Sequence, residues 1–220
     1  MRYTNFLNKK LYLHPKGDVV CDNIMNNIPV EEHLVYYFNK LIKLDDIIVE
    51  GGVYVGLHTV RFSQLASKGH VYSFEASKRN YDLANNTLID NEINNITLYN
   101  KALYSENKEI YLNESWTPDQ DSITNVPTNK TIEAVTIDSL QLPKVDFIKL
   151  DIEGGELEAL KGAINTINMC RPIITFEYLK HLNHPNPINI LREYEYDVYQ
   201  IENHWDYIAF PPNSNYENNL

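Results

Sequence analysis

The sequence of 220 residues predicts an α/β domain, in which helices flank a doubly wound, mostly parallel β-sheet. Two observations predict this class. Short apolar segments alternate along the chain with segments whose apolar residues recur at helical spacing. The first apolar segment also ends in an acid and two glycines before a helical pattern begins, which is typical of buried parallel strands. We therefore expect the ligand of this domain at the carboxyl ends of its strands.

The predicted elements follow one another from residue 29 to residue 210. Strands are predicted at 46–50, 70–75, 96–100, 146–151 and 172–178, with a closing pair at 196–201 and 207–210. Helices are predicted at 29–42, 78–91, 156–169 and 187–195, and a further helix begins at Leu57. The β-rich segments 104–112 and 131–137 either join the sheet or form an excursion from it. The polar segment 113–129 between them is predicted to be a loop.

We interpret the chain as one domain with additions at both ends. Residues 1–44 form an N-terminal extension and a helix packed on the core, residues 45–210 the main domain, and residues 211–220 a flexible tail. The N-terminus lacks the apolar stretch of a signal peptide, and no run of about 18 apolar residues occurs in the sequence. We therefore expect a cytoplasmic protein without a membrane span, in which Cys21 and Cys170 are reduced thiols.

The charge of the chain bears on its partners. The formal net charge is −11, and the basic residues are scattered, with Lys9–Lys10 as their longest run. Proteins that bind nucleic acids cluster Lys and Arg in order to neutralise phosphates. The composition therefore disfavours a nucleic acid as the main substrate, and it indicates nothing about the oligomeric state.

Three segments carry residues suited to binding or catalysis. Gly52 and Gly56 lie where the first strand meets its helix, and they permit a sharp turn close to a ligand. Glu75 ends the second strand, where a carboxylate either accepts hydrogen bonds from both hydroxyls of a ribose or caps the next helix. Asp151 and Glu153 follow an apolar strand. Like charges held close raise each other's pKa, which favours proton transfer, although the two acids could also be solvated loop residues.

These segments, in this order and spacing, resemble the FkbM family of S-adenosylmethionine-dependent methyltransferases. The resemblance rests on the blocks EGGVYVGLHT at 50–59, VYSFEA at 71–76, NKAL at 100–103, TIDSL at 136–140 and DFIKLDIEGGELEALKG at 146–162. It covers residues 45–178, and the last block is the most specific. The resemblance implies a Rossmann-like methyltransferase sheet with S-adenosyl-L-methionine as the cofactor. It also implies direct in-line transfer of a methyl group to a hydroxyl oxygen of a small-molecule or saccharide acceptor.

The resemblance also implies a set of site residues. The cofactor-binding residues would be Glu50, Gly52, Gly56, Thr59, Glu75, Lys101, Ala102 and Asp151. Within this set the glycines line the methionine end, Glu75 holds the ribose, and Lys101–Ala102 lies beside the adenine. Asp151 and Glu153 face the reacting groups, and one of them is the general base that removes the proton of the acceptor hydroxyl. Ser122 lies where the family often has a serine-rich loop.

Two positions depart from the family pattern. Glu50 replaces an aspartate and is one methylene longer, so that it can reach the ammonium of the cofactor through a water. Tyr54 replaces a small asparagine and either crowds the methionine pocket or turns away from it. A non-catalytic binding protein with a degenerate methyltransferase fold therefore stays an alternative. A nicotinamide-dependent oxidoreductase is a weaker alternative, because the loop lacks the G-x-G-x-x-G pattern.

Three histidines could take part in the chemistry. His58 follows the glycine loop and could reach the cofactor, although a solvent-facing position at the start of the helix is the preferred interpretation. His181 and His184 have the spacing of a metal pair, but they lie in a loop interrupted by proline and no cysteine joins them. We expect no metal site there, and the two histidines could instead line the acceptor pocket.

Overall fold

The computed structural model describes residues 2–212 and residue 214. The chain begins with a hairpin of β1 (Arg2–Phe6) and β2 (Lys9–Leu13), followed by α1 (Val19–Met25). The sequence does not signal this hairpin, because the two turn residues have positive φ without being glycine: Leu7 (49°) and Asn8 (61°). The predicted tail at 211–220 lies mostly outside the described residues.

Seven strands form the main sheet. These are β3 (Ile47–Gly51), β4 (His70–Phe74), β5 (Ile96–Tyr99), β10 (Phe147–Leu150), β11 (Ile173–Glu177), β12 (Asp197–Gln200) and β13 (Asp206–Phe210). Their order is β12-β13-β11-β10-β3-β4-β5. The strands from β11 to β5 run parallel, and β13 is antiparallel to both of its neighbours. The predicted doubly wound α/β class is confirmed, and the chain order reverses between β3 and β10, where such sheets bind ligands.

Six helices follow α1. They are α2 (Glu32–Leu41), α3 (Leu57–Leu65), α4 (Lys78–Asp90), α5 (Glu156–Lys161), α6 (Ile164–Cys170) and α7 (Ile188–Glu193). The prediction of one helix over 156–169 is wrong. The helix is interrupted between α5 and α6, where Gly162 packs against the backbone of Tyr104. A side chain at Gly162 would meet the carbonyl oxygen of Tyr104 at 2.0 Å. The carboxylate of Asp138 accepts hydrogen bonds from the amides of Asn165 and Thr166, which caps the second helix.

A second sheet lies between β5 and β10 in the sequence. Its four strands are β6 (Ala102–Leu103), β7 (Lys108–Asn113), β8 (Ser122–Thr124) and β9 (Thr131–Val135), in the order β6-β9-β7-β8. The β-rich segments therefore form an excursion from the main sheet. The segment 113–129 is not purely a loop, since it contains β8 and a short 3-10 helix at Pro118–Gln120.

The central strands bury both of their faces. On one face Val49, Ile148 and Ile174 pack with the apolar side of α5, α6 and α7. On the other face Ile48 and Phe147 pack with α2 and α3. Burial on both faces explains why these strands are apolar without alternation.

The N-terminal extension packs on the core through α4. The amide of Tyr12 donates to Thr87 Oγ1 at 3.0 Å, and the amide of Lys10 donates to Asn91 Oδ1 at 2.8 Å. Cys21 and Cys170 are both free. Within residues 2–212, no helix has the length and apolar character that a membrane span requires.

Candidate active site

A cavity of about 790 Å³ lies at the carboxyl ends of β3, β4, β10 and β11. Parallel strands end at one edge of a sheet, so residues that are far apart in the sequence meet there. The predicted site residues in the cavity wall are Gly52, Glu75, Lys101, Ala102, Asp151 and Glu153. The predicted site residues outside the wall are Glu50, Gly56 and Thr59.

Glu75 fastens the glycine loop with its carboxylate. Its Oε2 accepts hydrogen bonds from the backbone amides of Val53 (3.1 Å) and Tyr54 (2.7 Å), and its Oε1 accepts one from Ser77 (2.8 Å). Burial raises the pKa of Glu75 to about 7, although the three N–H donors oppose that shift. Glu75 thus shapes the loop while its carboxylate stays in the cavity wall.

Gly52 is required by the packing of the chain on itself. Its φ is 80°, and a Cβ there would lie 1.6 Å from the carbonyl oxygen of Asp151. The ends of β3 and β10 can therefore approach each other only because this position has no side chain. Gly56 precedes α3 with a φ of 92°, and there the left-handed backbone, not a lack of space, favours glycine.

Glu50 lies beneath the glycine loop. It is completely buried, and its Oε2 accepts hydrogen bonds from Thr59 Oγ1 (2.8 Å) and Ser73 Oγ (2.7 Å). Burial raises the pKa of Glu50, and its Oε1 has no hydrogen-bond partner among the described residues. The structure therefore places Glu50 and Thr59 together as a buried support of the loop, with one carboxylate oxygen still able to accept a hydrogen bond.

Lys149 joins the glycine loop to the end of β10. Its Nζ lies 3.1 Å from the carbonyl oxygen of Gly52 and 3.1 Å from Asp151 Oδ2, and the side chain is almost completely buried. Burial works against the ammonium, but the charges of Asp151 and Glu31 raise the pKa of Lys149. Asp151 is therefore a paired carboxylate with a fixed orientation.

Glu153 and Glu177 stand beside Asp151 without comparable partners. One carboxylate oxygen of each of these three residues lies within 4.8 Å of the others. Burial, followed by the charges of Asp151 and Glu156, raises the pKa of Glu153 to about 8. Burial and the same neighbouring charges also raise the pKa of Glu177. The group could hold a proton near neutral pH, or a hard divalent cation such as Mg²⁺.

Glu156 holds the loop that carries Glu153. Its Oε1 accepts hydrogen bonds from the amides of Ile152 (3.0 Å) and Gly154 (3.3 Å). Glu153 itself has a positive φ of 55°, so this loop is held in a conformation that non-glycine residues seldom adopt. Neither Glu156 nor Lys149 is among the site residues that the sequence predicts. The signal for Lys149 was a lysine inside an otherwise apolar strand.

A set of hydrogen bonds centred on Asp121 lies in another part of the cavity wall. Asp121 lines the wall, and its carboxylate accepts hydrogen bonds from Ser77 Oγ (2.6 Å), Arg79 Nε (2.8 Å) and the amide of Ser115 (2.7 Å). These bonds tie the segment before β8 to the first turn of α4. Ser122 follows Asp121 in the wall. These hydrogen bonds could not be predicted from the sequence, since their partners are separated by up to 44 residues.

Tyr54 turns toward the N-terminal extension. Its hydroxyl donates to Asp18 Oδ1 at 2.5 Å and lies 3.2 Å from Cys21 Sγ, while its ring packs against His14. Asp18 is the N-cap of α1, so the phenol links the glycine loop to that helix. Of the two orientations considered for Tyr54, the structure has the outward one, although part of the residue still lines the cavity.

The histidines occupy different surroundings. His58 is 5% exposed, and its Nε2 lies 2.5 Å from Glu31 Oε2, so the expected solvent-facing position is wrong. Burial opposes the charge of Glu31, but the hydrogen bond from His58 lowers the pKa of that carboxyl to about 2. His181 and His184 line the cavity.

Lys101 and Ala102 follow β5 at one edge of the main sheet, whereas His181 and His184 follow β11, on the other side of β3 and β10. Lys101 Nζ donates to Glu133 Oε1 at 2.7 Å, so its charge is already paired. Ala102 is buried at the start of β6.

The cavity fits a cationic adenosine cofactor. Eight acids occur in the described wall: Glu31, Glu75, Asp119, Asp121, Asp151, Glu153, Glu177 and Asp206. The only lysine or arginine in that described wall is Lys101. Carboxylates favour the sulfonium and ammonium of S-adenosylmethionine, and Glu75 offers an acceptor for ribose hydroxyls. The size of the cavity lies within the usual range for small-molecule sites.

Solved structures support the fold assignment. The chain is similar to a methyltransferase FkbM from Methylobacillus flagellatus KT, with 18% identity and a TM-score of 0.57. That match covers 90% of this chain and 56% of the other, so this chain spans little more than half of that protein. It is also similar to precorrin-6y C5,15-methyltransferase from Geobacter metallireducens GS-15 (13% identity, TM-score 0.55, covering 90% and 94% of the two chains). A third similar structure is SMU.1697c from Streptococcus mutans in complex with SAH. It has 13% identity and a TM-score of 0.54, and the match covers 83% of this chain and 98% of the other.

The sequence comparison identifies the family. No curated protein matches the chain significantly. The methyltransferase FkbM domain, however, matches residues 50–217, which is more than half of the chain and includes every predicted site residue. The chain therefore belongs to the FkbM family of S-adenosylmethionine-dependent methyltransferases.

Proposed function

We propose that this methyltransferase methylates a hydroxyl oxygen of a small molecule or saccharide, with Glu153 as the general base. The observation that carries the proposal is the environment of the Glu153 carboxyl in the cavity wall. Burial and the neighbouring charges of Asp151 and Glu156 raise its pKa to about 8. A base is most effective when its pKa lies near the working pH, and its contribution is typically about 10²–10⁴-fold.

The other residues of the site have supporting roles in this proposal. S-adenosylmethionine, when bound, supplies a methyl group that is already electrophilic. Glu75 would hold the ribose, and Gly52, Lys101 and Ala102 would form the rest of the cofactor wall. Asp151, oriented by Lys149, would face the cationic end of the cofactor. Glu50 would contribute through its free Oε1 or, with Thr59 and Gly56, by supporting the loop.

The charge of the cavity favours an acceptor without phosphates. Its described wall holds eight acids and one lysine, and that lysine is paired with Glu133. Phosphate-rich polymers are bound by clustered basic side chains, so a nucleic acid is a poor candidate. Neutral polyols and saccharides can instead donate their hydroxyls to the carboxylates at the His181 end of the cavity.

The test uses Glu153→Gln, with Glu158→Gln on α5 as the matched control. Glu158 lies outside the cavity wall and bonds to Ser105 and Lys161. Purified variants are incubated with labelled S-adenosylmethionine and a panel of saccharides and hydroxylated small molecules. We expect kcat to fall by about 10²–10⁴-fold in Glu153→Gln and to stay near the wild-type value in the control.

Binding of S-adenosylhomocysteine is measured in parallel by calorimetry. Unchanged affinity together with the loss of kcat assigns Glu153 to chemistry and not to cofactor binding. Unchanged kcat in Glu153→Gln would refute its role as the base. A product that carries the new methyl group on nitrogen or carbon, identified by NMR, would refute O-methylation.

A further inference from the structure

A compact group of metal-ligating side chains lies at the rim of the cavity. His33 is the second residue of α2, His204 lies in the loop between β12 and β13, and Asp206 begins β13. The ring nitrogens and the carboxylate oxygen that these residues offer all lie within 4.8 Å of one another. The spacing of metal ligands in the sequence points only to His181 and His184, because nothing in the sequence brings residue 33 to residue 206.

The two imidazoles of the group lie against each other. The rings of His33 and His204 stack face to face, with their centroids 3.4 Å apart and their planes 9° from parallel. A neutral imidazole binds a metal through a ring nitrogen, so the stack brings two side chains of this ligand type to one place.

The charges around Asp206 also favour a cation. Its Oδ2 lies 2.7 Å from His33 Nε2, and the negative charges of Asp151 and Glu31 act on it. Glu177 is its direct partner across the β11–β13 ladder. A neutral or singly charged histidine offsets little of this negative charge, whereas a divalent cation offsets more of it.

The spacing is compatible with a tetrahedral ion. Zinc binds imidazole nitrogen and carboxylate oxygen at about 2.0–2.2 Å, which places the ligand atoms about 3.4 Å apart. His33 and Asp206 would separate slightly from their 2.7 Å contact, and the His204 ring would turn out of the stack. The second side-chain torsion of histidine has a broad energy well, and His204 lies in a loop.

From this geometry we infer that His33, His204 and Asp206 form a binding site for a zinc-class divalent cation, which joins the start of α2 to the β12–β13 loop. Two imidazoles and one carboxylate suit Zn²⁺, Co²⁺ or Ni²⁺ better than Mg²⁺. Three protein ligands leave a fourth position open. Asp206 also lines the cavity, so the ion would lie at its acceptor end.

The test is metal binding by the full chain without a histidine tag, after treatment with a chelator. Zn²⁺ and Co²⁺ are titrated by calorimetry, and the visible absorption of Co²⁺ reports its coordination. We expect one equivalent to bind, with intense Co²⁺ bands typical of tetrahedral coordination. His204→Ala and His33→Gln should each weaken Zn²⁺ binding by about 100-fold or more, since even outer-shell partners of metal sites contribute about 10–100-fold.

His70→Ala is the control variant. His70 begins β4 and bonds to Thr97, outside the described cavity wall and apart from the proposed ligands. It should bind Zn²⁺ like the wild type and show the same metal-dependent rise in the unfolding temperature. Absence of binding to the folded wild type would overturn the inference. So would binding that survives both histidine substitutions but disappears in Asp151→Asn with Glu177→Gln, because the ion would then occupy the carboxylate group.

Discussion

Two sets of carboxylates lie at the same edge of the sheet, and their surroundings differ. Glu50 and Glu75, at the ends of β3 and β4, accept hydrogen bonds from hydroxyls and backbone amides. Glu153 and Glu177, near the ends of β10 and β11, lie mainly beside other carboxylates. The same functional group can therefore fix a backbone in one region and keep its basicity in the other. Lys149 lies between the two regions and contacts both.

The largest expected effect comes from Lys149→Met, which removes the cation shared by the two regions. The buried carboxylate of Glu50 would then lose its cationic neighbour, and Asp151 its ion pair. Breaking a buried pair costs about 3–5 kcal/mol, so the free energy of unfolding should fall by that amount in urea denaturation.

A double variant tests the cause of that loss. Glu50→Gln combined with Lys149→Met should recover about 1–2 kcal/mol, because no buried charge is then left without a partner. Lys161→Met, on the exposed side of α5, serves as the control and should change the stability by less than about 1 kcal/mol. A double variant as unstable as Lys149→Met alone would show that the coupling to Glu50 is unimportant.

The two regions can be compared directly with one chemical change. Glu75→Gln places an amide N–H₂ or a neutral oxygen where three backbone N–H groups need acceptors, so at least one stays unsatisfied. We expect a loss of about 2–3 kcal/mol in the free energy of unfolding. Glu153→Gln removes a carboxyl whose ionisation the fold disfavours, so it should leave the free energy of unfolding at pH 7 unchanged or raise it.

The stability difference between Glu153→Gln and the wild type should depend on pH, and the raised pKa of Glu153 determines the direction of that change. Because the folded pKa of Glu153 is raised to about 8, its contribution to stability is present below the unfolded pKa and is lost as the pH rises through about 8. Glu153→Gln should therefore gain stability relative to the wild type as the pH rises from about 4.5, the ordinary pKa of a glutamate, to about 8. Equal destabilisation by the two substitutions at every pH would remove the distinction between the regions.

The site residues that could be predicted from the sequence are those that directly follow a predicted strand. Glu75 and Asp151 follow apolar strands, and parallel topology alone brings such positions to one edge. The fold class follows from the same apolar segments, since burial on both faces leaves a recognisable pattern. A motif match could name Glu50 and Thr59, but it could not show that both side chains lie beneath the loop.

What the sequence could not predict depends on contacts between distant segments. The break between α5 and α6 arises because Gly162 packs on Tyr104. The turn of the N-terminal hairpin requires positive φ at both Leu7 and Asn8. Leucine seldom adopts this conformation, so the residue types do not predict the turn. His58 meets Glu31 because the start of α2 lies beside the start of α3.

The raised pKa of Glu153, in the second region, should determine how the rate of methyl transfer depends on pH. A general base acts in its ionised form, so with Glu153 as the base the rate rises with pH and levels off above about 8. Between pH 7 and pH 9 the ionised fraction of such a group grows about tenfold. The positive charge of bound cofactor favours the carboxylate and would move the midpoint below 8 in the cofactor-saturated enzyme. Initial rates at saturating cofactor test this, and a flat profile would point to another base.

A smaller loss of stability than at Lys149 or Glu75 is expected at Tyr54, which belongs to the first region but points away from the cavity. Tyr54→Phe removes the hydrogen bond to Asp18, while Asp18 Oδ1 keeps its bond from the amide of Cys21. We expect a loss of about 1–2 kcal/mol in the free energy of unfolding, because a bond to a charged acceptor disappears.

Cofactor affinity decides what this tyrosine means for function. Because the phenol is turned toward α1, the affinity of Tyr54→Phe for S-adenosylhomocysteine should stay within about threefold of the wild type, or about 0.7 kcal/mol. Calorimetry with the wild type, Tyr54→Phe and Tyr54→Asn measures this. If the wild type failed to bind while Tyr54→Asn bound well, the tyrosine would be an obstacle in the methionine pocket. The outward orientation of the ring would then not be enough to keep that pocket open, and the chain would be a degenerate member of its family.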